Sequence, residues 1–200
     1  MSVKIAVLVS GGGTNLQALI DAQGKTLCSG KIALVVSNNA QAYALERAEK
    51  AGIATEVVLK KALGSQEAFE ARLKEVLTAH GIEVIILAGF MTILTESFTS
   101  AYPRRILNIH PSLIPSFCGE GFYGLRVHEA ALSRGVKVTG ATVHFVNEIP
   151  DGGEIIAQKA VSIEEGDTPE TLQRRVMEQA EWILLPQAAE TVCASILGGN

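Results

Sequence analysis

Val3-Lys-Ile-Ala-Val-Leu-Val-Ser10, running into Gly11-Gly12-Gly13-Thr14-Asn15-Leu16, is the stretch that sets the architecture. Its apolar run reads as a buried strand, and from Leu16 the spacing turns helical through Leu19 and Ile20. A strand, a glycine turn and a helix start together make a place for a phosphate. Glycines permit close approach of the backbone, and first-turn amides point outward at the positive end of the helix dipole. Gly12 and Gly13 belong to that turn, while Thr14 or Asn15 can cap the helix or donate to the phosphate. The other reading is a tight turn with no ligand. The dinucleotide fingerprint is absent, since Leu16 stands where its third small residue belongs, and there is no P-loop lysine.

The same unit repeats outward from this start. A strand is expected over 32–37, a helix over 42–51 closed by Gly52, a strand over 53–59 and a helix over 66–79. Residues 84–88 are apolar on both faces, which suits the centre of a parallel sheet. A fifth strand ends at His110, a helix covers 124–134, and alternation marks strands over 138–146 and 154–163. Thr168-Pro169-Glu170 starts a last helix, with proline just inside it. It carries Leu172, Val176, Trp182, Leu184 and Leu185. The order predicts an α/β fold: a three-layer α/β/α sandwich, mostly parallel and Rossmann-like in its N-terminal half, with antiparallel strands added in the C-terminal half.

Two hundred residues, 48% of them apolar, fit one domain over 1–200 with an ample core. A net charge of −4 gives no basic footprint for nucleic acid or an anionic membrane. Any anionic ligand must therefore be met by local amides and single cations. Cys28, Cys118 and Cys193 form no disulfide framework or metal-ligand spacing, which suits a reducing compartment. Cys118 reads as a small filler or, less simply, a reactive thiol. No apolar run reaches membrane length or looks like a cleaved signal, so the expected location is cytoplasmic.

Chemistry is carried by Ile106-Leu-Asn108-Ile-His110-Pro111-Ser-Leu-Ile-Pro115. Alternation puts Asn108 and His110 on one face of a strand, and Pro111 ends it with His110 at the carboxyl edge. Ligands of open α/β sheets bind at that edge. An amide and an imidazole there can stabilise an oxyanion and move a proton, or serve only as turn former and structural histidine. A second stretch, from Gly140 to Gly153, supplies Asp151 on a turn, where its carboxylate can pair with the imidazole. His144 falls on the alternation Thr142, His144, Val146 and reads as a brace or a plain structural residue. Phe90, Met91, Thr92, Ile93 and Leu94 follow a central strand, as a wall for a flat aromatic ligand or as core. The glycine-dense loop 119–124 is expected to be mobile.

Together, Asn108-x-His110-Pro-Ser-Leu-x-Pro115, Gly140-x-Thr142-Val-His144-Phe-Val, Asp151-x-Gly153 and the opening Ser10-Gly-x-Gly-x-Asn-Leu16 resemble the phosphoribosylglycinamide formyltransferases, folate-dependent enzymes of purine synthesis. The likeness runs from Val3 to Pro186. It implies transfer of a formyl group from 10-formyltetrahydrofolate, as co-substrate, to the amine of glycinamide ribonucleotide, with no metal. The resemblance implies a phosphate- and nucleotide-binding half over about 1–100 and a catalytic, folate-binding half over about 101–200. Asn108, His110 and Asp151 match the family's catalytic trio, and Gly13, Thr14 and Asn15 its phosphate loop. Phe90 to Leu94 match one wall of the folate pocket, with Asn108, and Val146, Asn147 and Glu148 the other. Glu181 matches, after a one-residue shift along the helix, the carboxylate that holds the ribose. Ile114-Pro115 matches a cis bond. Thr92 and Gln66 stand where family members often carry arginine. The partners implied are two small molecules, with a monomer or homodimer as the assembly. The alternatives are a formyltetrahydrofolate hydrolase using the same trio on water, a methionyl-tRNA formyltransferase core, or a non-catalytic nucleotide-binding module.

Overall fold

The computed structural model describes residues 2–199. Strands β1 (Val3–Val9), β2 (Gly30–Ser37), β3 (Ala54–Val57), β4 (Val84–Leu87), β5 (Ile106–His110), β6 (Val138–Phe145) and β7 (Ile155–Ser162) form one sheet ordered β3-β2-β1-β4-β5-β6-β7. The pairings are parallel from β3 to β5 and antiparallel for β5–β6 and β6–β7. This is the expected mixed sheet, and it runs through both halves of the chain.

The helices are α1 (Thr14–Ala22), α2 (Tyr43–Lys50), α3 (Lys60–Leu63), α4 (Gln66–Ala79), α5 (Glu96–Thr99), α6 (Leu125–Arg134), α7 (Pro169–Val176) and α8 (Trp182–Gly198). Period-two alternation divides the central strands between two cores. Val3, Ile5, Val7, Val84, Ile86 and Leu107 face one, with Leu16 and Leu19 of α1 and Leu185 and Ala189 of α8. Ala6, Leu8, Ile85, Leu87 and Ile106 face the other, with Phe69, Leu73 and Leu77 of α4 and Phe98 of α5. Helices on both faces make the three layers. Among the described residues, no helix is long and apolar enough to cross a membrane.

Three features depart from the sequence reading. Helices α3 and α5 are single four-residue turns, too short to show a helical period. Strand β3 is shorter than the expected 53–59, because its partner β2 ends at Ser37, whose carbonyl takes the Val58 amide at 2.9 Å as the last rung. The last helix is not uniform: after α7, whose cap Thr168 exchanges hydrogen bonds with Thr171, residues Met177–Glu181 wind as a π turn before α8. A π turn takes an extra residue into the helix and so re-aims the side chains beyond it.

Candidate active site

Sequential strands step one way from β1 to β3 and the other way from β4 to β5, so the order reverses between β1 and β4. Ligands of doubly wound sheets bind outside the carboxyl ends at such a reversal. The glycine turn follows β1, the segment from Gly89 follows β4, and Asn108 and His110 end β5. Register completes the cluster: Asn108 lies opposite His144, and His110 opposite Thr142, across the β5–β6 ladder. A register irregularity between Val143 and His144 sits at the same point, a device that re-aims side chains.

Asp151 closes the group. Its Oδ2 is 3.4 Å from His110 Nδ1 and its Oδ1 3.5 Å from His144 Nε2. Asn108 Nδ2 donates to Asp151 Oδ1 at 3.4 Å and stands 3.1 Å from His144 Nε2. The Gly119 amide donates to Asp151 Oδ2 at 2.9 Å. His144 Nδ1 is 2.7 Å from the Phe145 carbonyl, which can only accept, so Nδ1 carries a proton. The Asp151 carboxylate, which can only accept, sets the amide's orientation: Asn108 Nδ2 faces Asp151 and His144, and Asn108 Oδ1 has no protein partner among the described residues. The donation to an oxyanion expected of the Asn108 amide draws on the same Nδ2 that faces Asp151.

Both nitrogens of His110 face oxygens, Asp151 Oδ2 and, at 2.8 Å from Nε2, the Phe117 carbonyl. Burial lowers the pKa of His110, and the Asp151 charge and Phe117 carbonyl pull it back only in part. The pairing expected to hold the imidazole charged is present, yet burial outweighs it. Asp151 itself is held below its ordinary value: burial opposes ionisation, but the His144 bond, His110 and the Gly119 amide overcome it. Two of these partners sit on left-handed backbone, Phe117 with φ 51° and Asp151 with φ 56°. Non-glycine residues there carry strain that surrounding contacts must sustain, a pattern concentrated at functional sites. Gly153 makes the Asp151 turn possible: a Cβ on it would lie 1.7 Å from the Phe145 carbonyl oxygen.

The loop after β5 delivers Phe117 and Gly119. Ile114-Pro115 is cis. Thr142 Oγ1 donates to the Ser112 carbonyl at 2.7 Å and accepts from the Ile114 amide at 3.1 Å. Gln158 donates to the Ile114 carbonyl at 2.9 Å. Gly119, in the loop expected to be mobile, is thus anchored on Asp151. Gln158, Phe117 and Gly119 carry no signal of a role in the sequence, and Thr142, though part of a quoted motif, is given none there; their roles arise from cross-strand register and backbone atoms. His128 packs behind, wholly buried with both ring nitrogens unpartnered, and burial pushes it down to about 4.

A cleft of about 510 Å³ opens over the cluster, with Phe90, Met91, Thr92 and Ile93 on one side, Gly119 to Gly124 on another, and Asn108, His110 and Asp151 at its base. Met91 and Ile93 are 57% and 63% exposed, an apolar wall open to a flat ring. Leu94, grouped with that wall from sequence, is instead buried in the second core. Val146, Asn147 and Glu148 line a neighbouring cavity with Thr99 and Pro103, because β6 ends at Phe145 and the chain turns away before Asp151. Gln66 and Thr92 themselves are neutral side chains beside the cleft: Gln66 donates to Glu70 at 2.6 Å and to the Ile93 carbonyl at 3.0 Å, and Thr92 accepts from Asn38 at 2.9 Å.

At the glycine turn, α1 begins on Gly13 with φ 72°, no side-chain cap and no acid in its first turn. Its first amides are left for an outside acceptor. Asn15 is buried; its Nδ2 donates to Glu181 Oε2 at 2.7 Å and its Oδ1 has no partner. The π turn ends at Glu181, which it brings onto Asn15 in the first turn of α1. Gly13 is also a packing residue, since a Cβ would lie 2.6 Å from Ala44 Cβ. Gly13→Ala is therefore expected to lower stability by about 1–3 kcal/mol, through strain and overpacking. It should also weaken binding of a phosphorylated substrate, read by denaturant melts and by KM.

The sequence profile described as formyl transferase matches residues 3–188. This chain belongs to the formyl transferase family. It is 42% identical over 177 residues to the phosphoribosylglycinamide formyltransferase of Escherichia coli (strain K12), covering 88% of this chain and 81% of that one. It is 48% identical over 192 residues to the trifunctional purine biosynthetic protein adenosine-3 of Gallus gallus, covering 96% of this chain and 18% of the relative. The chain thus spans about a fifth of such trifunctional relatives. Glycinamide ribonucleotide transformylase 1 from Symbiobacterium toebii superposes with a TM-score of 0.90 at 43% identity, over 97% of this chain and 89% of that one. Phosphoribosylglycinamide formyltransferase from Brucella melitensis gives 0.88 at 41% identity over 97% of each chain. This chain therefore shares its layered fold with solved structures of that name.

Proposed function

We propose that this formyltransferase moves the formyl group of 10-formyltetrahydrofolate onto the amine of glycinamide ribonucleotide, giving formylglycinamide ribonucleotide and tetrahydrofolate in purine synthesis. One observation carries the reading: the Asn108, His110, His144 and Asp151 cluster stands two strands from a helix start backed by the buried Asn15–Glu181 pair. Neighbouring strands lie about 4.8 Å apart, so the turn after β1 and the end of β5 are roughly 10 Å apart, a span suited to a phosphoribosyl group with an amine at its far end. The phosphate goes to the first amides of α1, and the ribose hydroxyls to Glu181 and the free Asn15 Oδ1.

The folate supplies an electrophilic formyl carbon and a leaving nitrogen. A C–N bond forms to the substrate amine and the bond to folate N10 breaks; the amine loses one proton and N10 gains one. Asn108 Oδ1, free of protein partners, accepts from the attacking amine and aims its lone pair. His110, neutral at pH 7 because of burial, takes up the proton, directly or through water. The imidazolium formed lies between Asp151 and the Phe117 carbonyl, and its charge faces the negative charge developing on the formyl oxygen. Such stabilisation exists only as charge develops, which lowers the barrier instead of tightening the ground state. His110 then returns the proton toward N10.

Incubation with 10-formyltetrahydrofolate, with and without glycinamide ribonucleotide, tests this by folate absorbance. Turnover that requires the amine is expected. Amine-independent release would assign the same cluster to hydrolysis, and silence would leave a binding module.

A further inference from the structure

We propose that Arg104 is a positioning residue: its guanidinium clasps the neck of the turn that carries Asp151 and so fixes that carboxylate against His110. This rests on the role of Asp151 in the reaction proposed above. Among the described residues, three other than glycine have positive φ: Phe117 at 51°, Asp151 at 56° and Arg104 at 55°. The first two face the His110 imidazole, whereas Arg104 lies before β5 and outside the cleft. The Arg105 amide donates to the Tyr102 carbonyl at 3.0 Å, which makes Tyr102-Pro103-Arg104-Arg105 a β-turn. Proline second and a positive φ third mark the type II form, whose third position favours glycine. An arginine held there needs contacts that sustain it.

Those contacts span the neck. The chain leaves β6 at Phe145 for the Asp151 turn and returns at Glu154, and the two stems meet where the Phe145 amide donates to the Glu154 carbonyl at 2.8 Å. The Arg104 guanidinium lies across both, 4.5 Å from the Phe145 ring centroid on one stem and paired with the Glu154 carboxylate on the other. An exposed ion pair alone holds little. A planar cation stacked on a ring and paired at its edge is fixed in one orientation, which a lysine cannot reproduce. Cavities of about 520 and 260 Å³ flank the clasp, each lined by Arg104, Phe145 and Glu154, so little else packs on the neck from this side. Both stems lead straight to the site. The Phe145 carbonyl accepts from His144 Nδ1, and a Cβ on Gly153 would lie 1.7 Å from that same oxygen. A neck that spreads therefore shifts Asp151 and His144 against Asn108 and His110, which β5 holds through its pairing with β4.

Arg104→Gly tests this, because relief of strain and loss of the clasp act on different readouts. Glycine relaxes the positive φ, so the melting temperature should stay level or rise. With the clasp gone, kcat should fall about tenfold, given that a 1 Å misplacement can cost about a hundredfold. KM for both substrates should change little. The Asp151 charge holds the His110 pKa up against burial, so the acid limb of the kcat profile should move to lower pH, in the direction expected for Asp151→Asn but less far. Glu154→Ala should lower kcat in the wild type and add nothing in the Arg104→Gly background. A kcat close to wild type with the acid limb unmoved overturns the clasp. So does a kcat that falls only in step with the melting temperature, or full additivity of the two substitutions. A severe loss in Asp151→Asn beside an unaffected Arg104→Gly rejects the clasp alone, whereas an unaffected Asp151→Asn rejects the role of Asp151 and the clasp with it.

Discussion

Asp151→Asn is expected to lower kcat about 10²–10⁴-fold, the range for losing a positioned partner of an acid–base group. The substitution preserves shape. Asparagine tolerates the left-handed backbone at φ 56°, and its Oδ1 can still accept from the Gly119 amide. The lost element is the charge that raises the His110 pKa against burial. Without it the His110 pKa falls further, so the acid limb of the kcat profile, where His110 becomes protonated before reaction, should move to lower pH. The plateau should drop because the imidazolium formed during reaction has lost its counter-charge. Circular dichroism and KM for both substrates should stay close to wild type. A variant within threefold of the wild-type kcat, with its acid limb unmoved, would remove Asp151 and the His110 pairing from the mechanism.

Glu181→Gln should separate substrate binding from stability. Burial pushes the Glu181 pKa up to about 7 from 4.5, against the lowering influence of Asn15. The folded state therefore holds a proton that the unfolded chain has released between those values. Stability from this group is complete below pH 4.5, declines as pH rises, and levels off above pH 7. The loss amounts to about 3 kcal/mol. His110 and His128, both depressed, act with the opposite sign, losing stability as pH falls below 6.5. The measurement is thus the stability difference between wild type and Glu181→Gln across pH 4.5–7, in which the histidines cancel. Glutamine fits because its carbonyl accepts from Asn15 Nδ2 and its amide can donate to the unpartnered Asn15 Oδ1. KM for glycinamide ribonucleotide should rise roughly 10- to 100-fold, as hydroxyl bonds to a charged acceptor weaken. A flat stability difference together with an unchanged KM would show that Glu181 neither titrates near pH 7 nor contacts substrate.

Much of this protein is set by local pattern. Apolar residues on both faces of 84–88, the helical turn-on at Leu16 and the Thr168-Pro169 start are each properties of a few neighbouring residues, and they specify strands, helices and their alternation without tertiary information. Asn108, His110 and Asp151 were legible for the same reason, lying at strand and turn ends where side chains are free to act. Tertiary structure decided whatever depends on pairing across the chain. Register set His144 opposite Asn108, and the loop after Pro115 brought a carbonyl and an amide onto His110 and Asp151. The π turn carried Glu181 to Asn15, and the dense core around His110 reversed the charge balance expected from its pairing alone. Burial and register are long-range quantities: a residue's neighbours in space, up to 166 positions away here, fix its solvent and its proton, and short-range spacing cannot encode them.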